Sequence, residues 1–230
     1  MTERATDRHL RKLSTPRAAG FAGVLFALLF GAALILIRGS LPEGGEPGSQ
    51  WVSGASGKLR LASILMPFAG IAFLWFIGVV RDGFGKFEDR FFSSVFLGSG
   101  LLFLAMIFST SAVGVGLVAA RKAAVDHAAD QELAAFGQGL LTTLSTTYAL
   151  RMAAVFMISL ATIWLKTQLM SRWLIAMTYL VALGLLIASD VSMWLTLAFP
   201  FWVLVVSLLA LVRAGVIDLH HDEPDSVGQT

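Results

Sequence analysis

Residues 18–37 read AAGFAGVLFALLFGAALILI, twenty consecutive positions without a charge. At 1.5 Å per residue, a helix of that length covers about 30 Å, the thickness of a bilayer's hydrocarbon core. In lipid every backbone amide must find its partner inside its own segment, so this stretch predicts a membrane-spanning α-helix. A basic segment precedes it, with Arg4, Arg8, Arg11, Lys12 and Arg17 against Glu3 and Asp7. A secretory signal would also begin that way. However, the apolar run is longer than the usual 7–15 residues of a signal, and no small-x-small cleavage site follows Ile37.

The whole chain shares this character. Of 230 residues, 57% are hydrophobic and 14% charged, where soluble domains carry roughly a quarter charged. Mean hydropathy is +0.77. Such a chain has too little polar surface to cover its apolar surface, so lipid is the expected solvent and the bilayer the expected partner. Nucleic-acid binding is not expected, because a net charge of +2 is spread over several loops. The absence of cysteine removes disulfides, thiolate nucleophiles, Cys-ligated zinc and iron–sulfur clusters.

Five further apolar segments follow. They are predicted at 61–80, 91–120, 140–165, 173–189 and 193–212. The third has 30 residues, about 45 Å as a helix, and must tilt or project into water. The Gly-, Pro- and Ser-rich segment Gly39–Gly57 reads as an exposed loop with little regular structure. Between spans three and four, Val125, Ala129, Leu133 and Phe136 recur at helical spacing and predict a short amphipathic helix on the membrane surface. The predicted fold class is therefore all-α: a polytopic integral membrane protein, a six-transmembrane-helix bundle at 18–213 between a basic arm at 1–17 and an acidic, mobile tail at 214–230.

Counting Lys and Arg sets the expected orientation. With the N-terminus inside, inner segments hold eleven and outer loops five (Arg38, Lys58, Arg60, Arg121 and Lys122). The excess places both termini in the cytoplasm, and the plasma membrane is the expected location. Trp75, Trp164 and Trp173 then belong to the inner interface, with Trp51, Trp194 and Tyr148 at the outer one.

The densest cluster of charge is RDGFGKFEDR at 81–90. Arg81, Asp82, Lys86, Glu88, Asp89 and Arg90 there read as an ion-paired cytoplasmic junction that sets the depth and tilt of the third helix. Glu88 and Asp89 are not expected to act as catalytic carboxylates, because Lys86 and Arg90 flank them in an aqueous loop.

Chemistry is expected at the opposite face. Arg151 falls inside the fourth span, in the outer third of the core, where an unpaired arginine costs about 3 kcal/mol or more. Asp190, in the next outer turn, is its nearest carboxylate in depth. Arg151 either binds an anionic group, serves as a buried ion pair that fixes register, or snorkels outward to the interface. Small hydroxyls share that level: Ser109, Thr110 and Ser111 in span three, and Thr142, Thr143, Ser145, Thr146 and Thr147 in span four. Pro67 and Pro200 are expected to break their helices at similar depth. Together these predict an outward-facing polar pocket, with Arg151, Asp190, Ser109, Thr142 and Thr146 as its ligand-binding candidates. The competing reading has each hydroxyl bonding its own i−4 carbonyl.

Ala19, Gly23, Ala27 and Gly31 stand at strict four-residue spacing on span one, and Ser94 and Gly98 continue the theme on span three. These predict close helix packing, within the chain or in a homo-oligomer through the first helix. His9, His127, His220 and His221 all lie outside the spans, so no haem or other cofactor and no metal is expected. Neither a phosphate-binding loop nor a hydrolase triad is recognisable. The reading that follows is a non-enzymatic protein binding or transporting a small solute, ion or lipid, with a structural or assembly subunit of a membrane complex as the alternative.

Overall fold

A computed structural model describes the backbone of residues 3–40, 50–83, 90–123, 127–168, 170–188 and 193–213. It describes the side chains of 17–40, 57–83, 91–120, 131–168, 170–187 and 195–213. Every described element is helical. In order they are α1 (Glu3–Arg38), α2 (Gln50–Asp82), α3 (Arg90–Ala123), α4 (His127–Thr142), a π-helical segment (Thr143–Ala149), α5 (Leu150–Thr167), α6 (Arg172–Ala188), a 3-10 turn (Met193–Leu197) and α7 (Ala198–Arg213). Because α4, the π segment and α5 are continuous, the described chain forms six rods.

Five stretches are long and apolar enough to cross a membrane: Arg17–Arg38, Gly57–Asp82, Phe91–Ala120, Gln131–Thr167 and Leu195–Arg213. The fifth rod, Arg172–Ile187, is apolar but shorter. The rods are apolar on their outer faces as well as their inner ones. Phe21, Leu28, Phe68, Leu180, Ile187 and Phe201 are all more than half exposed on the outside of the bundle. A helix that is hydrophobic all round belongs in lipid or in a large core.

Contacts along the rods show an up-and-down arrangement. Gly23 of α1 faces Phe76 of α2, while Gly39 at the end of α1 meets Lys58 near the start of α2. Gly70 of α2 faces Phe108 of α3, and Ile77 faces Gly100. Gly137 of α4 faces Leu117 of α3. The Thr162 and Tyr179 hydroxyls join α5 to α6 at 2.7 Å, and the Trp202 indole N–H of α7 donates to Thr178 of α6 at 3.0 Å. Gly20 lies against Leu211, closing α7 onto α1. Arg17 and Arg213 therefore lie at one end of the bundle. Arg38, Lys58 and the α3–α4 junction lie at the other.

The centre is aromatic. Phe73 packs on Phe26 (ring centroids 4.5 Å apart), Phe156 (5.3 Å), Phe103 (5.6 Å) and Phe199 (5.8 Å). Phe96 stacks on Phe156 at 4.4 Å. These rings come from α1, α2, α3, α5 and α7, and all are fully or almost fully buried. Offset and edge-on pairs of this kind contribute about 0.5–1.5 kcal/mol each beyond the area they bury.

Several sequence expectations change here. Helix α2 begins at Gln50, so residues 50–57 are helical rather than loop. The surface helix expected before span four is instead the first part of the fourth rod, because α4 runs into the π segment without a turn. Helix α2 continues through Pro67 without interruption. Pro200 is the third residue of α7, in the first turn, where its missing N–H has no intrahelical acceptor to lose. Neither proline opens a helix. Trp164 is buried and lies 6.2 Å from Trp202, while Trp75 and Trp173 are exposed on the outside of the bundle.

The packing glycines also shift. A Cβ at Gly20 would stand 2.5 Å from Leu211, and one at Gly23 would collide with the Ser207 hydroxyl, so α1 meets α7 through this pair. Ala19 and Ala27 are buried beside them, but Gly31 has open space around it. On α3, Ser94 is exposed and Gly98 has nothing within 4 Å of a built Cβ. The close approach is made by Gly100, whose Cβ would come within 2.7 Å of Ile77. In lipid both faces of a helix are apolar, so spacing alone does not tell which face turns inward.

Candidate functional site

The polar end of the bundle is built on the last turn of α1. Gly39 N–H donates to the Ile35 carbonyl at 2.8 Å, and Ser40 N–H to that of Ile37 at 3.1 Å, so the helix closes in a tight turn. The Ser40 hydroxyl takes the Leu36 carbonyl at 2.6 Å, and Lys58 Nζ approaches the Gly39 carbonyl at 3.4 Å. This turn directs the Arg38 side chain into the bundle, where only 6% of the residue is exposed.

Opposite it stands the π segment. Five of the six residues at 142–147 carry hydroxyls, and hydroxyls back-bonded to preceding carbonyls loosen regular helix. Ser145 Oγ donates to the Leu141 carbonyl at 2.7 Å, and Thr146 Oγ1 to that of Thr142 at 2.7 Å. π-Turns are rare and concentrate at functional positions.

Arg38 Nη2 donates to Ser145 Oγ at 3.1 Å. Its Nε and Nη1 are buried without a hydrogen-bond partner among the described residues. A guanidinium has five N–H bonds, and three of them sit on those two atoms. No carboxylate among the described residues pairs with Arg38. Glu132 is exposed on α4 and precedes Ser145 by 13 residues, about 20 Å along the rod. The negative end of α1 favours a cation here by about 0.3–1 kcal/mol. A buried charge without a counter-ion costs several kcal/mol. The second effect is larger, so Arg38 is held in the bundle at a net cost.

A small cleft lies near this end, lined by Ile37, Leu59, Thr110, Ser111, Gly114 and Leu141, with room for roughly one water molecule (≈ 10 Å³). A second, open groove runs along the outside between Arg60 and Val115, Val118 and Ala119. Neither enters the aromatic centre.

The candidates read from sequence distribute unevenly about this site. Thr146 is buried beside Ser145, and Thr142 is half-buried and supplies the carbonyl that Thr146 bonds. Ser109 faces outward and bonds the Ala105 carbonyl at 2.8 Å. Its neighbour Thr110, buried, lines the cleft. Arg151 is half-buried on α5, two residues beyond the π segment, and its Nη1 donates to the Thr147 carbonyl at 3.1 Å. Asp190 lies outside the described residues, as do Lys86, Glu88 and Asp89 of the junction and the four histidines' side chains. Arg81 and Asp82 are exposed at the opposite end, where Arg90 opens α3. Among the described residues no group of His, Asp and Glu could hold a metal.

Arg38 and Ser145 carry the geometry that sequence reading did not single out. Arg38 counts as a loop cation at the end of its span, and only its burial distinguishes it from Lys58 and Arg60. Ser145 is one hydroxyl among several. The signal that could have found the pair is the run of hydroxyls at 142–147 with a span-terminal arginine on a neighbouring rod at matching depth.

The fold and this site define an all-helical protein whose apolar helices fit a multi-pass membrane protein. No known protein family matches the sequence, and no characterised protein or solved structure shows significant similarity to it.

Proposed function

We propose that the chain is a six-pass protein of the plasma membrane, with both termini in the cytoplasm, that binds a small solute, ion or lipid at the Arg38 end of its bundle. The observation that carries this reading is the buried Arg38 guanidinium with two unpartnered nitrogens. An ionisable group buried among membrane-spanning helices is costly, which makes it a candidate functional position. The Lys and Arg asymmetry of the sequence supports the orientation, and it puts the Arg38 end outside. Binding fits better than conduction, because the aromatic rings fill the middle of the bundle.

Two measurements test it. The chain has no cysteine, so Lys58→Cys and Asp82→Cys each report one end. A membrane-impermeant thiol reagent should label Lys58→Cys in intact cells and Asp82→Cys only after permeabilisation; the reverse pattern would overturn the orientation. For binding, the purified protein is melted in detergent against a panel of inorganic anions, inorganic cations, neutral solutes and lipids. At least one class should raise the melting temperature of the wild type and leave Arg38→Gln unmoved. A panel with no such class refutes a binding role for this end.

A structural or assembly subunit is the second reading. It is favoured by Gly31 and Gly98, whose open surroundings leave notches on the lipid-facing side where a partner helix could approach. Disulfide cross-linking of Gly31→Cys between copies in native membranes would support it. Uniformly monomeric Gly31→Cys would remove the homo-oligomeric form of that idea.

A further inference from the structure

We infer that the ligand of the Arg38 end is a compact oxyanion, a phosphate or similar group seated on the guanidinium, with Ser145 as the positioning residue. This inference rests on the binding reading above and names its ligand class.

The donor count comes first. Arg38 offers N–H bonds and no acceptor, so the complementary group must accept and should be negative. Three of its N–H bonds, on Nε and Nη1, are buried and unmet. A cation ligand would face repulsion there, and a neutral one would leave the charge uncompensated.

Ser145 decides how the guanidinium is held. A hydroxyl has one proton. That of Ser145 goes to the Leu141 carbonyl at 2.7 Å, with Thr142 O further away at 3.2 Å. It therefore meets Arg38 Nη2 only as an acceptor. Ser145 cannot also donate to an anion, so its role is to hold one arm of the guanidinium, with Nε and Nη1 left unpartnered among the described residues. The π segment presents this hydroxyl to α1 from the fourth rod.

Depth points the same way. The span Arg17–Arg38 has 22 residues, about 33 Å of helix, so Arg38 stands at the edge of a hydrocarbon core of about 30 Å. Lipid phosphates lie at that level, and free oxyanions reach it from water. Lys58, held at the Gly39 carbonyl on the same turn, adds a second positive charge beside the approach.

The experiment uses the full-length protein in a neutral detergent. One arm titrates inorganic phosphate against chloride at matched ionic strength, and the other adds phosphatidylglycerol against an uncharged diacylglycerol. Near-saturating oxyanion should raise the melting temperature by roughly 5 °C. Response to phosphate alone identifies a free solute, response to phosphatidylglycerol alone identifies the bilayer, and either supports the inference. Arg38→Gln should abolish the response. Ser145→Ala, which keeps the charge, should retain it with affinity weakened several-fold, and Ser145→Thr should restore it. Should Arg38→Gln fail to fold, the Ser145 pair still decides the matter through that affinity shift. No response in either arm, or an undiminished response in Arg38→Gln, overturns the inference. If both oxyanion arms are silent while a cation or neutral solute gives an Arg38-dependent shift, the inference alone fails and the binding reading survives.

Discussion

The middle of this bundle and its Arg38 end solve opposite problems. In the middle, Phe26, Phe73, Phe103, Phe156 and Phe199 meet ring to ring from five helices, with none of their surface left unpacked. At the Arg38 end a charged side chain is also buried, yet among the described residues two of its three nitrogens have no hydrogen-bond partner. Burial in lipid is not itself a driving force between helices, because lipid tails are as apolar as phenylalanine. Close packing holds the middle together, and the same burial acts against the charged end. A region that stays buried at a cost is where a ligand has most to offer.

That contrast can be broken at either end. The largest effect is expected for Phe73→Ala, which removes the ring touching most of its neighbours and should cost about 3–5 kcal/mol. Reversible unfolding in bicelles would measure it, and a loss below 1 kcal/mol would mean the aromatic centre is not tightly packed. Gly23→Ala places a methyl against the Ser207 hydroxyl and Phe76 and should cost about 1–3 kcal/mol. Ser207→Ala in the same protein should recover part of that loss, because the Ser207 oxygen is itself buried without a hydrogen bond. A double variant no more stable than Gly23→Ala would place the clash elsewhere.

At the polar end the sign reverses. Arg38→Met keeps the length of the side chain and removes the charge, so in buffer free of oxyanions it should raise stability by about 1 kcal/mol or more. A loss instead would show that Arg38 is already compensated. The smallest effect belongs to Ser109→Ala. Ser109 faces outward and bonds only its own helix among the described contacts, so a change within about 0.5 kcal/mol is expected in the same unfolding assay. A larger value would place Ser109 in the site after all.

Much of the fold was legible because hydropathy over twenty residues is a local property. The stretch at 18–37 announces its helix whatever packs beside it, and rod Arg17–Arg38 extends it by one residue at each end. The site was legible only in part. Ser145 and Thr146 belong to the hydroxyl layer visible in sequence, but Ser109 of that layer turns outward. Gly98 and Gly100 differ by two positions and look alike on paper; only the second meets another helix. Soluble helices mark their inner face by contrast with a polar outer one, and here both faces are apolar.

What the sequence by itself determined is the class of object: an all-helical chain whose apolar runs need lipid, with its polar residues gathered between them and at 142–151. It also determined where the apolar spans lie, though not that α2 starts at Gln50 or that α4 runs on into α5. Only the tertiary structure decided which side of each rod turns inward, that Pro67 passes inside an unbroken helix, and that Arg38 rather than Arg151 is the more deeply buried cation. The reason is physical. A span-terminal arginine is ordinary until another rod covers it, and that covering comes from Ser145 and the π turn, more than a hundred residues further along the chain.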